Sequence, residues 1–119
     1  MSDTAAGAEN LTEKLIVEKN KSVGYIGLNQ PEKHNAISYE MWQGIARAMD
    51  DFESDDEVRV IVFSGEGGRA FSSGADISQF EQKRGSADAI EVYNREMTLA
   101  YQKLTDVSKP TIARISGYC

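Results

Sequence analysis

Cysteine is all but missing from this sequence. The single one, Cys119, occupies the last position, so no intrachain disulfide can form. With no second cysteine and only one histidine, His34, a metal site has no support in the residue pattern. Prolines are two, Pro31 and Pro110. Strongly apolar residues are scarce. Leu, Ile, Val and Phe make up 25 of the 119 residues, just above the composition at which disorder becomes the default. No apolar run approaches the roughly 18 residues of a membrane span. Met1 to Asn10 is small and polar and carries no apolar core of the signal-peptide kind. Positive charge is short as well: thirteen Lys and Arg face nineteen Asp and Glu, a net charge of −6. That balance argues against a general nucleic-acid binder, which needs a basic footprint, and against an anionic membrane surface. The expectation is a soluble cytoplasmic protein with no nucleic-acid or membrane partner. Its length suits one domain, or part of a larger one.

What is present is a pattern of alternating strand and helix signals. Residues 1–10 read as a flexible N-terminal arm, and residues 11–119 as the folded part. Leu15, Ile16 and Val17 begin a strand. Asn20, Lys21 and Ser22 supply turn chemistry, and Val23 to Leu28 is a second strand, giving a hairpin over 13–29. Asn29 to Asn35 reads as a loop. Ser38 is a plausible N-cap for a helix over 38–53, with Met41, Ile45, Met49 and Phe52 on one face. Val58 to Phe63 is almost continuously apolar and predicts a strand near 58–64 buried on both faces. A second helix spans 86–104, with Ile90, Tyr93, Met97, Ala100, Tyr101 and Leu104 on its stripe. Lys109-Pro110 ends it, and a third apolar strand follows at 111–116. The order ββ-α-β-α-β is an α/β pattern with crossover helices. A buried-type strand leading into Gly117-Tyr118-Cys119 reads as the front part of a longer domain.

The segment Gly65 to Phe80, GEGGRAFSSGADISQF, joins a buried-type strand to a helix start, the place where α/β folds bind ligands. Gly65-x-Gly67-x-x-Ala70 is a weak dinucleotide fingerprint in poor context, because Phe71 to Gly74 interrupt the helix a pyrophosphate would need. Ser72 or Ser73 with His34 and Asp76 could be written as a hydrolase triad, but the G-x-S-x-G elbow is absent. Gly74-Ala75-Asp76 is more specific. Gly74 frees the backbone to turn. If a helix begins near Asp76, the Ala75 N–H points outward at its positive end, where it could bind an oxyanion. An ordinary helix start capped by Asp76 is the competing reading.

Three segments, NQPEKHNAIS (29–38), VRVIVFSGEGGRAFSSGADISQF (58–80) and KPTIARISGYC (109–119), together resemble the N-terminal half of the crotonase family. That family includes enoyl-CoA hydratases and isomerases. The resemblance runs from about Leu15 to the end and implies a crotonase-like (ClpP-like) β-β-α spiral, truncated after its first turns. It implies an acyl-CoA thioester as substrate, with coenzyme A part of that substrate and no separate cofactor. It implies an enolate stabilised by two backbone N–H groups. Carried over position by position, Ala75 matches the first oxyanion donor. Lys33, His34 and Ala36 match the loop that lines the CoA arm. Ser73, Asp76 and Ile77 match the segment around the adenine end. Serines stand at 73 and 78, where many relatives have Ala and Lys. Lys33, Arg69 and Arg84 are the candidates to replace the missing cation. The second donor and the hydratase glutamates follow Gly117-Tyr118 in the family, and Glu66, Glu81 and Glu96 are not at matching positions. The resemblance therefore implies hydration of a 2-enoyl-CoA, or isomerisation, by a complete protein that is a homotrimer or homohexamer. It also implies an inactive 119-residue chain. The competing expectation is a non-catalytic fragment or assembly subunit that pairs with a complementary half.

Overall fold

The computed structural model describes residues 12–78 and 87–119. The expected N-terminal arm, residues 1–10, lies outside them. Period-two alternation sets the first two strands. Leu15 and Val17 on β1 (Leu15–Asn20) and Ile26 and Leu28 on β2 (Val23–Leu28) point to one face and are buried. The strands pair antiparallel, Leu15 opposite Leu28 and Val17 opposite Ile26. Lys21 makes the turn with a left-handed φ of 57°.

Helix α1 (Tyr39–Ser54) begins where Ser38 Oγ accepts from the Met41 N–H at 3.3 Å. Its apolar stripe Met41, Ile45, Met49 and Phe52 is entirely buried against the hairpin, as the spacing predicts. Gly24 is what lets it approach, since a Cβ there would collide with the Phe52 ring. The end of α1 is rich in acid, which the helix dipole disfavours. Lys109 offsets this: its Nζ donates to the carbonyls of Phe52 and, at 2.7 Å, Asp55.

β3 (Val60–Gly65) pairs parallel to β2, and β4 (Thr111–Arg114) parallel to β3, so the four strands lie in chain order. Each parallel step is made by a helix, α1 between β2 and β3, and α2 (Ala87–Asp106) between β3 and β4. Both helices contribute to the cluster on one face of the sheet. The element order and the α/β class agree with the sequence reading.

Two expectations need correction. β3 is an interior strand with its Ile61 fully buried, but Val60, Val62 and Phe63 are only part-buried. The sheet face carrying Tyr25, Val62 and Ile112 is not covered by any described element. β4 is exposed along its whole length; Ile112 on it and Ile115 just after it are half in water. On α2, Tyr93 and Ala100 are buried, whereas Ile90 and Tyr101 of the same stripe are exposed. Among the described residues no helix is long and apolar enough to cross a membrane.

Candidate functional site

The loop after β2 is held by side chains that replace backbone pairing. Pro31–Lys33 forms one 3-10 turn, and His34 and Asn35 follow in the left-handed region with φ of 53° and 58°. Asn is among the few residues that tolerate this conformation. Buried Asn35 makes the turn permanent. Its Oδ1 accepts from the Gln30 N–H at 2.8 Å, and its Nδ2 donates to the carbonyls of Glu66 at 3.1 Å and Ala70 at 2.8 Å. The loop is thereby fixed to the segment that leaves β3. Gly65 permits the close approach, because a Cβ there would overlap the Ala70 and Phe71 carbonyls. Gln30 is equally buried and ties both segments from below, donating to the Ala36 carbonyl at 2.7 Å and to Asp76 Oδ2 at 3.1 Å.

These bonds set up a one-residue parallel bridge between Ile37 and Ala75. The Ile37 N–H donates to the Gly74 carbonyl at 2.7 Å, and the Ile37 carbonyl accepts from the Asp76 N–H at 3.0 Å. Both bonds use residues flanking Ala75. The N–H of Ala75 itself therefore points to the opposite side of this extended segment. No described residue accepts a hydrogen bond from it, and Ala75 is exposed. Gly74 reaches the required geometry with φ of 111°.

Asp76 is buried beneath this donor. Its Oδ1 accepts from the Ser78 N–H at 3.0 Å and Ser78 Oγ at 2.7 Å, which caps the helical backbone that begins at Ser78. Burial by itself raises the Asp76 pKa. The Ser78 and Gln30 hydrogen bonds and the Lys33 ammonium, 3.5 Å away, outweigh it and hold the carboxyl below its ordinary 3.8. Both sequence readings of Gly74-Ala75-Asp76 thus coexist: a capped helix start, and an outward N–H beside it.

The remaining candidates divide. Lys33 Nζ donates to Ser78 Oγ at 3.1 Å and lies 3.5 Å from Asp76 Oδ2. Ser73 Oγ donates to the Lys33 carbonyl at 3.2 Å. His34 is exposed and meets the Tyr118 ring edge-on at 6.2 Å. Ile77 is half exposed beside the site. Ala36 is buried, and its N–H and carbonyl are bonded to the Lys33 carbonyl and to Gln30, so it shapes the loop from inside. Arg84 and Glu81 lie outside the described residues. Glu66 accepts from the Tyr25 hydroxyl at 2.5 Å, and Glu96 sits 4.0 Å from Arg95. The Ser-His-Asp grouping does not assemble, because Asp76 bonds Gln30, Ser78 and Lys33 while His34 faces Tyr118. The dinucleotide fingerprint fails too. Ala70 pairs with Tyr118 in a second one-residue bridge and begins no helix.

Sequence reasoning missed Gln30, Asn35 and Tyr93 as parts of the site. Tyr93, on α2, donates its hydroxyl to the Ile37 carbonyl at 2.7 Å and accepts from Trp42 Nε1 at 2.8 Å. A tyrosine on an apolar stripe reads as packing, and nothing in the spacing marks its hydroxyl as used.

The architecture has counterparts among known proteins. The enoyl-CoA hydratase/isomerase family model matches residues 18–119. This chain belongs to that family. It is 37% identical over 105 residues to carboxymethylproline synthase of Pectobacterium carotovorum, covering 87% of this chain and 42% of that protein. A putative enoyl-CoA hydratase of Thermus thermophilus is 37% identical over 103 residues, covering 85% and 40%. An enoyl-CoA hydratase/carnithine racemase crystal structure from Magnetospirillum magneticum superposes with a TM-score of 0.80 at 29% identity, covering 89% and 40%. The crotonase fold inferred from three sequence segments is therefore the fold of this chain. The chain spans about two-fifths of the length of the curated relatives it matches.

Proposed function

We propose that this chain carries the thioester-binding face of a crotonase-type enzyme, and that the complete protein hydrates a 2-enoyl-CoA. The observation that carries the reading is the outward Ala75 N–H, which no described residue accepts from, held in place by a buried frame. When water adds to the β-carbon of an enoyl thioester, negative charge gathers on the carbonyl oxygen. A fixed N–H aimed at that oxygen stabilises the enolate, an effect of about 2.7–4 kcal/mol where one such donor has been removed. Lys33, beside Ser78, supplies positive charge for the phosphates of the CoA arm. The exposed His34, Ser73 and Ile77 would contact the CoA arm. The relatives named above include a synthase as well as a hydratase; hydration is the reading taken because the matching family model is that of enoyl-CoA hydratases and isomerases.

Among the described residues Ala75 supplies one such donor, and the adjacent carboxylate, Asp76, is buried and engaged by Gln30, Ser78 and Lys33. Hydration also needs a second donor and an aligned acid/base, worth about 10²–10³ and 10²–10⁴ in rate respectively. The chain by itself therefore binds without useful turnover. A cytoplasmic location and a trimeric or hexameric complete protein are part of the same proposal. A non-catalytic subunit that pairs with a complementary half is the second reading, and it is supported by the exposed β4 edge, where Ile112 and, just past the strand, Ile115 are 51% and 54% accessible.

The test is calorimetric titration of the 119-residue protein with a short 2-enoyl-CoA and with coenzyme A itself. The thioester should bind about 2- to 10-fold more tightly, one net hydrogen bond's worth. Ala75→Pro should erase that difference, and the conjugated-thioester absorbance should persist over time. Equal affinity for both ligands refutes the donor. Rapid loss of absorbance would mean that a carboxylate in this chain is catalytic.

A further inference from the structure

The bridge that aims Ala75 has only two hydrogen bonds, and one of them ends on the Ile37 carbonyl. That carbonyl has a second donor. The Tyr93 hydroxyl reaches it at 2.7 Å from the middle of α2, and the Trp42 indole N–H on α1 donates to the same hydroxyl at 2.8 Å. Tyr93 and Trp42 are both buried. Burial raises the Tyr93 pKa, which keeps the hydroxyl protonated and able to donate. With the indole occupying one of its acceptor positions, the hydroxyl hydrogen is oriented toward Ile37. The two helices thus converge on one peptide oxygen, and that oxygen sets where Asp76, and with it Ala75, must lie.

We propose that Tyr93 is a positioning residue for the oxyanion donor. Its hydroxyl fixes the Ile37 peptide, which through the Asp76 N–H fixes the direction of the Ala75 N–H, and Trp42 orients the hydroxyl. This rests on the reading of Ala75 as the thioester donor. Tyr93 touches no reacting atom. Its effect is on how strongly a bound carbonyl is polarised, with little effect on how tightly the CoA arm is held.

The decisive measurement is infrared difference spectroscopy of a short 2-enoyl-CoA labelled with ¹³C at the thioester carbonyl. It compares the 119-residue protein with its Tyr93→Phe variant at saturating ligand. In the unaltered chain the carbonyl stretch should move to lower wavenumber on binding. In Tyr93→Phe the downshift should shrink while the affinity for coenzyme A stays the same. Amide exchange at Asp76 should quicken by about 2- to 10-fold, the weight of one hydrogen bond. An undiminished downshift in the variant overturns the positioning role and leaves the Ala75 reading intact. No downshift in the unaltered chain overturns the Ala75 reading, and this inference with it. If Tyr93→Phe does not fold, Trp42→Phe, which removes the donor to the hydroxyl along with part of the buried ring, is read in the same way: a smaller downshift with unchanged affinity for coenzyme A supports the role and an equal one overturns it.

Discussion

The hairpin with α1 and the pair α2–β4 are built from similar residues, yet they reach different ends. In the first, every apolar side chain that the period selects is buried: Leu15, Val17, Ile26, Leu28, Met41, Ile45, Met49 and Phe52. In the second, Tyr93 and Ala100 are buried, while Ile90, Leu99, Tyr101, Ile112 and Ile115 are exposed. The first region is covered on its apolar face by its own strands and helix and by α2, which lies along α1 and adds Tyr93 and Ala100 to the same cluster. The second has one side packed and one side without a partner among the described residues. Periodicity states which side chains are apolar on one face. It does not state whether anything lies against that face.

The sharpest way to break this comparison is to remove one side chain from each region. Met41→Ala should cost about 2–5 kcal/mol, the range for emptying a fully buried site. Ile112→Ala, at 51% exposure, should stay within about 0.5 kcal/mol. Urea unfolding of both variants checks this, and similar losses would show that β4 is held as firmly as the hairpin. Next in size is Lys109→Met, which keeps the aliphatic stem and removes the ammonium from the carbonyls of Phe52 and Asp55. It should cost about 1–2 kcal/mol as a lower melting temperature, since bonds from a charged donor are among the stronger ones. A smaller loss would mean that the two regions are joined by packing alone.

The smallest effect concerns acid. Asp76 is held below its ordinary 3.8, so the folded state favours its ionised form. The stability this supplies is present above that ordinary value and is lost as pH falls through the lower folded value. Asp76→Asn should therefore lose less stability than the unaltered chain as pH falls below about 4. Parallel acid profiles would show that Asp76 is not what joins the two loops.

Most of the fold was legible in the sequence because it rests on local signals. The Ser38 cap, the stripe on α1, the run Val60 to Phe63 and the stop at Pro110 each act within a few residues. The site was legible in part. Gly74-Ala75-Asp76 stood out because a glycine before an acidic helix start is a local device. Gln30 and Asn35 did not, although both lie in a segment quoted for its family likeness. Their work is done against carbonyls and a carboxylate far along the chain, and a buried amide looks in sequence like any loop amide. The burial of Val58 to Phe63 on both faces was over-read for a related reason. A β-branched apolar run reports what a strand can tolerate, whereas coverage depends on what is laid over it.

The frame around Ala75 also has a place in time. Gln30 and Asp76 are 46 positions apart, and Tyr93 and Ile37 are 56 apart. A second bridge joins Ala70 to Tyr118 near the end of the chain. Each of these contacts closes a long loop before it returns any hydrogen bond, and the entropy of that closure must be met by contacts made elsewhere. The hairpin, closed by the turn at Lys21, needs no such loop. On a chain emerging from its N-terminus, the hairpin and α1 can condense while the site is still unmade. The bond that orients the Ile37 peptide waits for α2, and the Ala70 bridge waits for Tyr118. The loop that presents Ala75 thus depends on contacts from segments far along the chain, whereas the hairpin depends on its own turn.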